Sequence, residues 1–198
     1  MQSFRMRQIE ILSESDGDLF ERIRKGDQFA VKELFRRYYG NLCRFAYRSI
    51  HSRDDVEDIV EGVFEKVWLN RDKLNSIQSV KSYLFKAVQN QAIDFLRSKE
   101  NKHVVFSERT HSEKEMSLEV ISCSDPFQDM TERDLAAAVA EAIENLPNKC
   151  KRVFTMNRQD SLKYSEIADV LNISERTVEN QIVRALKHLK KELRDFLG

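Results

Sequence analysis

Side chains with the chemistry of DNA recognition recur along one stretch near the end of the chain, residues 174–191. Arginine and asparagine can make paired hydrogen bonds to guanine and adenine edges, and lysine suits phosphate contacts. Such residues follow one another at intervals of 4, 4, 3 and 4, which places them on one face of a helix. Because an ordinary solvated face carries similar charges, the spacing alone leaves both interpretations open. The residues are Arg176, Asn180, Arg184, Lys187 and Lys191.

Two glutamates at the start of this stretch need a separate explanation, because DNA phosphates repel carboxylates. Glu175 lies in the predicted first turn, where the positive end of the helix dipole favours negative charge. Glu179 neighbours Arg176 and Asn180, and its carboxylate can accept a hydrogen bond from a cytosine amino group. We interpret Glu179 as a specificity residue. The alternative is an ion pair with a neighbouring arginine.

The residues before this stretch complete a helix-turn-helix pattern. Tyr164–Leu171 predicts a short helix, in which the small Ala168 lets a second helix cross closely. Asn172 tolerates the left-handed backbone of a tight turn, and Ser174 can cap the next helix. In this motif the second helix enters the major groove, so the complete pattern favours DNA binding. The predicted apolar stripe of that helix is Val178, Ile182, Ala185, Leu186, Leu189 and Leu193.

A second predicted helix, from about Asp54 to Asn70, has carboxylates along one face and apolar residues along the other. Paired carboxylates can act as general acid and base, but the nearest histidine, His51, lies outside the helix. The pattern therefore favours a docking surface for a basic partner, and a solvated face without a partner is the alternative. The acidic face consists of Asp54, Asp58, Glu61 and Glu65.

A third predicted helix, from about Ser79 to Ser98, has a polar seam. An aromatic ring can stack on an unpaired base, an amide can contact a base edge, and cations can hold the backbone. The alternative is a local surface pair between Asp94 and Arg97. The seam consists of Tyr83, Lys86, Asn90, Asp94 and Arg97.

These helices belong to a predicted all-α chain with two helical domains joined by a flexible acidic linker. Asp18 and Asp27 are candidate caps for the first two helices, and Thr131 is the candidate cap of the first helix after the linker. The linker is rich in serine and glutamate and has no steady period. The predicted boundaries are 1–17 for a mobile tail, 18–100 for the first domain, 101–133 for the linker and 134–198 for the second domain.

Composition favours long helices and limits the classes of function. Gly (5) and Pro (2) are scarce, and no apolar run approaches the roughly 20 residues that span a bilayer. The N-terminus has no apolar signal core, and the three cysteines form no Cys-x-x-Cys pair. We therefore expect a cytoplasmic protein with no membrane insertion, metal or cofactor. The net charge of zero is unevenly distributed, with −6 over residues 101–146 and +4 over residues 147–198. The basic C-terminal segment suggests a polyanionic partner.

Together the three helices resemble those of bacterial sigma factors of the sigma-70 family, extracytoplasmic-function (ECF) type. D-D-V-E-D-I-V-E-G-V-F-E-K-V-W (54–68) is similar to the region-two helix that docks on the beta-prime clamp of RNA polymerase. S-Y-L-F-K-A-V-Q-N-Q-A-I-D-F-L-R (82–97) resembles the helix that recognises and opens the minus-ten promoter element. L-P-N-K-C-K-R-V-F (146–154) and the helix-turn-helix resemble region four, which reads the minus-thirty-five element.

The resemblance implies a non-enzymatic initiation factor that binds core RNA polymerase at the beta-prime clamp and the beta flap. Such a factor directs the polymerase to promoter DNA, assists promoter opening and is usually held inactive by an anti-sigma factor. The implied polymerase-binding residues are Asp55, Asp58, Glu61 and Glu65. The implied minus-ten residues are Tyr83, Lys86, Asn90 and Arg97. The implied minus-thirty-five residues are Ser174, Arg176, Thr177, Glu179, Asn180, Arg184 and Lys187.

The chain departs from the family pattern at four positions. Gly62 stands where an acidic residue is common, and it costs about 1 kcal/mol of helix stability relative to alanine. Ser161 and Lys163 replace a glycine and a capping serine that often precede the first helix of the pair. Gln181 stands where some members carry a basic residue.

Three other functions fit parts of the sequence. A helix-turn-helix regulator that does not bind core polymerase explains residues 134–198 but leaves the acidic helix and the polar seam unexplained. A helical enzyme is disfavoured, because the chain has no phosphate loop and no metal-ligand spacing, and its four histidines are scattered. An anti-sigma or adaptor protein is disfavoured because the histidine and cysteine pattern of zinc-type anti-sigma factors is missing.

Overall fold

The computed structural model describes residues 14–74, 77–103 and 128–194. In these ranges it contains α-helices, one short 3-10 helix and no strand, which confirms the all-α prediction. None of the described helices is both long enough and apolar enough to serve as a membrane span. The first four helices are α1 (Asp16–Arg24), α2 (Gln28–Tyr47), α3 (Arg53–Leu69) and α4 (Val80–His103), and the 3-10 helix (Arg71–Lys73) follows α3. The last four are α5 (Gln128–Glu144), α6 (Asn148–Arg158), α7 (Tyr164–Leu171) and α8 (Glu175–Glu192).

The first helix starts three residues earlier than predicted, because Ser15 and not Asp18 is its N-cap. The Ser15 hydroxyl accepts a hydrogen bond from the Asp18 amide (3.2 Å), and the Asp18 carboxylate accepts one from the Ser15 amide (3.3 Å). Asp18 is therefore the third residue of a capping box. Residues 14–17 of the predicted tail thus belong to the start of α1, and residues 1–13 lie outside the described ranges.

The second helix starts where the sequence predicts. Gly26 turns the chain with a φ of 85°, which glycine adopts without steric cost. Asp27 then caps α2 by accepting a hydrogen bond from the Phe29 amide (2.8 Å). These two local signals separate α1 from α2 and let them pack against each other.

Helices α1 to α4 form the N-terminal domain, and their apolar sides pack against one another. Each helix buries the side on which its apolar residues recur, so the polar sides of α3 and α4 face outward. Phe45 of α2 and Phe85 of α4 meet edge to face with ring centroids 5.1 Å apart. The packing therefore fixes how α3 and α4 are rotated about their axes. The largest fully buried side chains of this domain are Phe85, Leu19, Ile23, Leu34, Leu42 and Leu84.

Two helices extend into the predicted linker. Helix α4 continues to His103, and α5 begins at Gln128. Thr131 therefore lies inside α5 and is not its cap, which corrects the prediction. The sequence between residues 98 and 103 contains no glycine or proline to stop α4, and Pro126 is the nearest helix-breaking residue before α5. The rest of the predicted linker, residues 104–127, lies outside the described ranges.

Helices α7 and α8 form the predicted helix-turn-helix. Asn172 has the left-handed backbone of the turn (φ 53°, ψ 50°), and Ala168 is buried at the crossing of the two helices. The Lys163 amide donates to the Glu166 carboxylate (2.9 Å), so Glu166 satisfies the start of α7 without a capping serine. Ser161 also has a positive φ of 53°, a backbone conformation that glycine adopts without steric cost.

Candidate DNA and polymerase interfaces

The start of α8 is held by the residue that the sequence predicts as its cap. The Ser174 hydroxyl accepts a hydrogen bond from the Thr177 amide (3.2 Å), and the two hydroxyl oxygens are 2.8 Å apart. The Thr177 side chain is half-buried, and both hydroxyls are engaged in the cap. Ser174 and Thr177 therefore fix the first turn of the helix that carries the other predicted DNA-contacting residues.

The outer face of α8 has the composition expected of a recognition helix. Its five predicted side chains are all exposed to solvent. Glu179 is exposed beside Arg176 and Asn180, and both interpretations of its carboxylate, as a specificity residue and as a partner of a neighbouring arginine, stay predictions. The helix thus presents cations, an amide and one carboxylate together. These side chains are Arg176, Glu179, Asn180, Arg184 and Lys187.

The inner face of α8 is narrower than predicted. Val178, Ile182, Ala185 and Leu189 are buried against the other helices of this domain. Leu186, predicted to belong to this stripe, is 45% exposed, which corrects the prediction. A residue four positions after Ile182 lies about 40° further round the helix, so Leu186 falls at the edge of the area that α6 and α7 cover.

An apolar residue on the outer face was missed by the sequence analysis. Val183 is 49% exposed and lies seven residues, about two helical turns, after Arg176. It therefore shares the face of Arg176 and Asn180. Its position in the helical repeat is the signal that could have revealed it, since Val183 is not part of the predicted apolar stripe. A branched aliphatic side chain on this face suits contact with a thymine methyl group.

Gln181 points away from this outer face. Its side-chain oxygen lies 3.0 Å from the sulfur of Cys150 in α6, which donates the hydrogen bond. The Cys150 side chain is buried and its thiol is free. The amide at position 181 is thus part of the packing between α6 and α8.

Only part of the polar seam of α4 is exposed and available to contact DNA. Lys86, Asn90 and Arg97 are exposed on one face. Tyr83, predicted to stack on a base, is half-buried and meets Phe20 edge to face, with ring centroids 6.0 Å apart. This burial raises the pKa of the Tyr83 hydroxyl. Its ring is therefore part of the contact between α1 and α4.

The acidic face of α3 is exposed along most of its length. Asp54, Asp58, Glu61 and Glu65 are open to solvent, whereas Asp55 is half-buried and accepts an ion-pair contact from Lys99 of α4 (3.1 Å). The hydrogen bond with Ser52 first, and Lys99 second, lower the pKa of the Asp55 carboxyl. Asp55 thus links α3 to α4, and the four carboxylates of the acidic face remain open for a partner.

The described residues contain no group of three or more His, Cys, Asp or Glu side chains that could hold a metal ion. The exposed faces of α3, α4 and α8 are instead surfaces of charges, amides and single apolar side chains. Such surfaces bind macromolecules through complementary charge and base-edge hydrogen bonds.

Comparison with known proteins identifies the family of the chain. The family model Sigma-70 region 2 matches residues 34–102, and the model Sigma-70, region 4 matches residues 136–189. The ECF RNA polymerase sigma factor SigW of Bacillus subtilis (strain 168) is 26% identical over 178 residues, covering 89% of this chain and 95% of SigW. The ECF RNA polymerase sigma-E factor of Escherichia coli (strain K12) is 28% identical over 187 residues, covering 92% and 96%.

Solved structures have the same fold. CnrH in complex with the cytosolic domain of CnrY matches with a TM-score of 0.60 and 22% identity, covering 92% of this chain and 99% of CnrH. The sigma factor RpoE, in complex with the anti-sigma factor NepR from Bartonella quintana, matches with a TM-score of 0.58 and 20% identity, covering 82% and 96%. The chain thus has the helical fold of these proteins, with a helix-turn-helix formed by α7 and α8. The chain belongs to the sigma-70 family, and the relatives it is similar to are sigma factors of the ECF type.

Proposed function

We propose that this sigma factor binds core RNA polymerase through the acidic face of α3 and directs it to promoters through α4 and α8. The observation that carries the proposal is that three helices of one chain, α3, α4 and α8, each have an exposed polar face whose chemistry matches a polymerase or DNA partner. Carboxylates on α3 suit a basic protein surface, and the cations and amides of α4 and α8 suit DNA. The factor is not an enzyme and acts in the cytoplasm, where polymerase and DNA are found.

At the minus-thirty-five element, the start of α8 enters the major groove. Arg176 and Asn180 contact base edges, and Glu179 accepts a hydrogen bond from a cytosine amino group. Val183 adds an apolar contact with a thymine methyl group. Arg184 and Lys187 lie further along the helix and contact phosphates, which sets affinity and its salt dependence.

At the minus-ten element, Asn90 reads an unpaired base while Lys86 and Arg97 hold the backbone. Extracting a base from the duplex costs a few kcal/mol, which these contacts offset. Tyr83 takes part only if its ring leaves Phe20, so we assign the main role to the exposed residues. An anti-sigma factor is the expected inhibitory partner, in line with the NepR complex of RpoE.

The docking role of α3 is tested by reversing two of its exposed carboxylates, Asp58→Lys together with Glu61→Lys. Like charges would then face the basic partner, and we expect affinity for purified core polymerase to fall about 100-fold, or about 2.7 kcal/mol. Glu21→Lys is the control, because Glu21 is an exposed carboxylate of α1 that pairs with Arg24 of its own helix. Wild-type affinity of the double variant would refute the docking role.

The competing function is a helix-turn-helix regulator that acts without core polymerase. It does not explain the open carboxylates along the acidic face of α3. If the wild-type chain binds DNA specifically but does not bind core polymerase, that alternative is correct and the proposal fails.

A further inference from the structure

A cavity of about 720 Å³ lies between the end of α2 and one side of α6. Helices α4 and α5 and the turn after α2 complete its lining, and none of the residues assigned to polymerase or DNA contact belongs to it. Small-molecule sites have volumes of about 300–1,000 Å³. The cavity is therefore large enough for a ligand that is separate from the polymerase and the promoter.

Part of the lining is apolar. Leu96 of α4 is 36% exposed, and Ile93 and Ile143 are half-buried. Because the transfer of apolar surface out of water is favourable, a ligand with an apolar body would be stabilised by packing against these side chains. The apolar lining consists of Phe45, Ile93, Leu96, Ile143 and Met156.

The charged part of the lining includes one cation that has no partner in the described part of the chain. Both terminal nitrogens of Arg48 donate to the buried carboxylate of Asp160 (2.8 and 2.7 Å), and Lys151 pairs with Glu144. Arg152 has neither an ion pair nor a hydrogen bond among the described residues. Once the two pairs are taken into account, one positive charge remains, that of Arg152.

The surroundings of Arg152 favour an anion beside it. Neighbouring protein atoms remove enough water to lower the pKa of the Arg152 guanidinium. Its charged form is therefore less favourable than in water, and a negative group in contact with it would offset this loss. A guanidinium can bind a carboxylate or a sulfonate through two parallel N–H donors. Asn148 lies one turn before Arg152 on the same side of α6, so its amide can add a hydrogen bond.

We propose that this cavity binds a small organic anion that has an apolar body and one negative charge, the chemistry of a fatty acid or an aromatic sulfonate. The anionic group pairs with Arg152, and the apolar body packs against Ile93, Leu96 and Ile143. The single unpaired cation of the lining matches a single negative charge. This binding site goes beyond the roles of α3, α4 and α8 in polymerase and promoter binding.

The test is a fluorescence titration of the full chain with anilinonaphthalene sulfonate, a dye with aromatic rings and one sulfonate. We expect one saturable site in the wild type and an affinity about 10-fold lower for Arg152→Ala, because a charge-assisted hydrogen bond is lost. Arg158→Ala is the matched control, since Arg158 is an exposed arginine of the same helix that does not line the cavity. We expect this control to bind the dye with wild-type affinity.

A second pair of variants tests the apolar part of the site. Leu96→Ser should weaken dye binding by at least about 3-fold, because it removes part of the apolar lining. Leu69→Ser is its control, since Leu69 is 63% exposed at the end of α3 and lies outside the lining. Decanoate, a fatty acid anion, should displace the dye, whereas inorganic phosphate, which has no apolar body, should not.

Circular dichroism shows whether each variant keeps the wild-type helix content. If Arg152→Ala loses helix, Arg152→Gln takes its place, since it retains most of the side chain and removes the charge. A wild-type chain without a saturable site, or equal affinities for the wild type and a folded Arg152 variant, overturns the proposal. Displacement by phosphate as strong as by decanoate also overturns it. None of these measurements involves polymerase or DNA, so this site and the proposed function fail separately.

Discussion

Gly62 offers the most quantitative test of how α3 combines stability with docking. It lies in the interior of α3, between Asp58 and Glu65, where glycine is a poor helix former. A Cβ atom added at Gly62 would lie 3.5 Å from the side-chain oxygen of Gln91, which is an ordinary van der Waals contact. The substitution Gly62→Ala therefore fits the structure without a clash.

The expected gain for Gly62→Ala follows from helix propensity, because no atom has to move. Alanine is more favourable than glycine in a helix interior by about 0.8–1 kcal/mol. A gain of this size raises the melting temperature by about 2–4 °C if the whole chain unfolds together, and by about 4–8 °C if the N-terminal domain unfolds alone. Affinity for core polymerase should not change, since the open carboxylates of α3 remain in place.

The chain provides its own probe for this measurement. Trp68 is the single tryptophan, and it lies half-buried in the same helix with the Arg71 guanidinium 4.7 Å above its ring. Its fluorescence during heating reports the unfolding of α3. Gly40→Ala is the matched control, because Gly40 is inside α2 and nothing lies within 4 Å of an added Cβ. A lower melting temperature for Gly62→Ala, with a gain for Gly40→Ala, would refute the reasoning.

Three further predictions concern DNA binding and pH. Arg184→Ala should weaken binding to all promoters by a similar factor. In filter-binding measurements at several salt concentrations, it should reduce the slope of log affinity against log salt by about 0.9. An unchanged slope excludes a phosphate contact. Glu179→Ala should change preference at one base pair by about 1–3 kcal/mol in a binding selection, and an unchanged preference removes its specificity role. The hydrogen bond from Arg22 holds the pKa of the Asp27 carboxyl below its usual range. The ionised Asp27 carboxylate therefore stabilises the folded chain above about pH 4, and this stabilisation is lost as the pH falls further. Asp27→Asn keeps a capping side chain but removes the titrating carboxyl. The free energy of unfolding, measured in urea at several pH values, should therefore fall less steeply below about pH 4 than in the wild type. An equally steep fall contradicts this.

Features set by residues close together in the chain were predicted well. Asn172 and Ser174 act within one turn of their own positions, so their types define the corner and the cap of the helix-turn-helix. Asp27 behaves in the same way. Where two such signals compete, the sequence is ambiguous: Ser15 and Asp18 are both good caps, and the reciprocal hydrogen bonds of a capping box select Ser15.

Features that depend on neighbouring elements were not predictable. Leu186 is exposed because α6 and α7 cover only the centre of the α8 stripe, and Tyr83 is half-buried because Phe20 of α1 packs on it. The pair between Arg48 and Asp160 joins residues 112 positions apart in different domains. The spacing of residues along the chain does not predict such a contact. It becomes visible only once the structure shows α4 packed against α7.

The most direct test of the central claim is transcription from genomic DNA with purified core polymerase, followed by mapping of the start sites. With the wild-type chain, we expect a limited set of start sites that share one element near minus ten and another near minus thirty-five. Core polymerase alone, or with the Asp58→Lys and Glu61→Lys double variant, should not produce that set. If adding the wild-type chain produces no new start sites, the account of this protein as a promoter-directing sigma factor is contradicted.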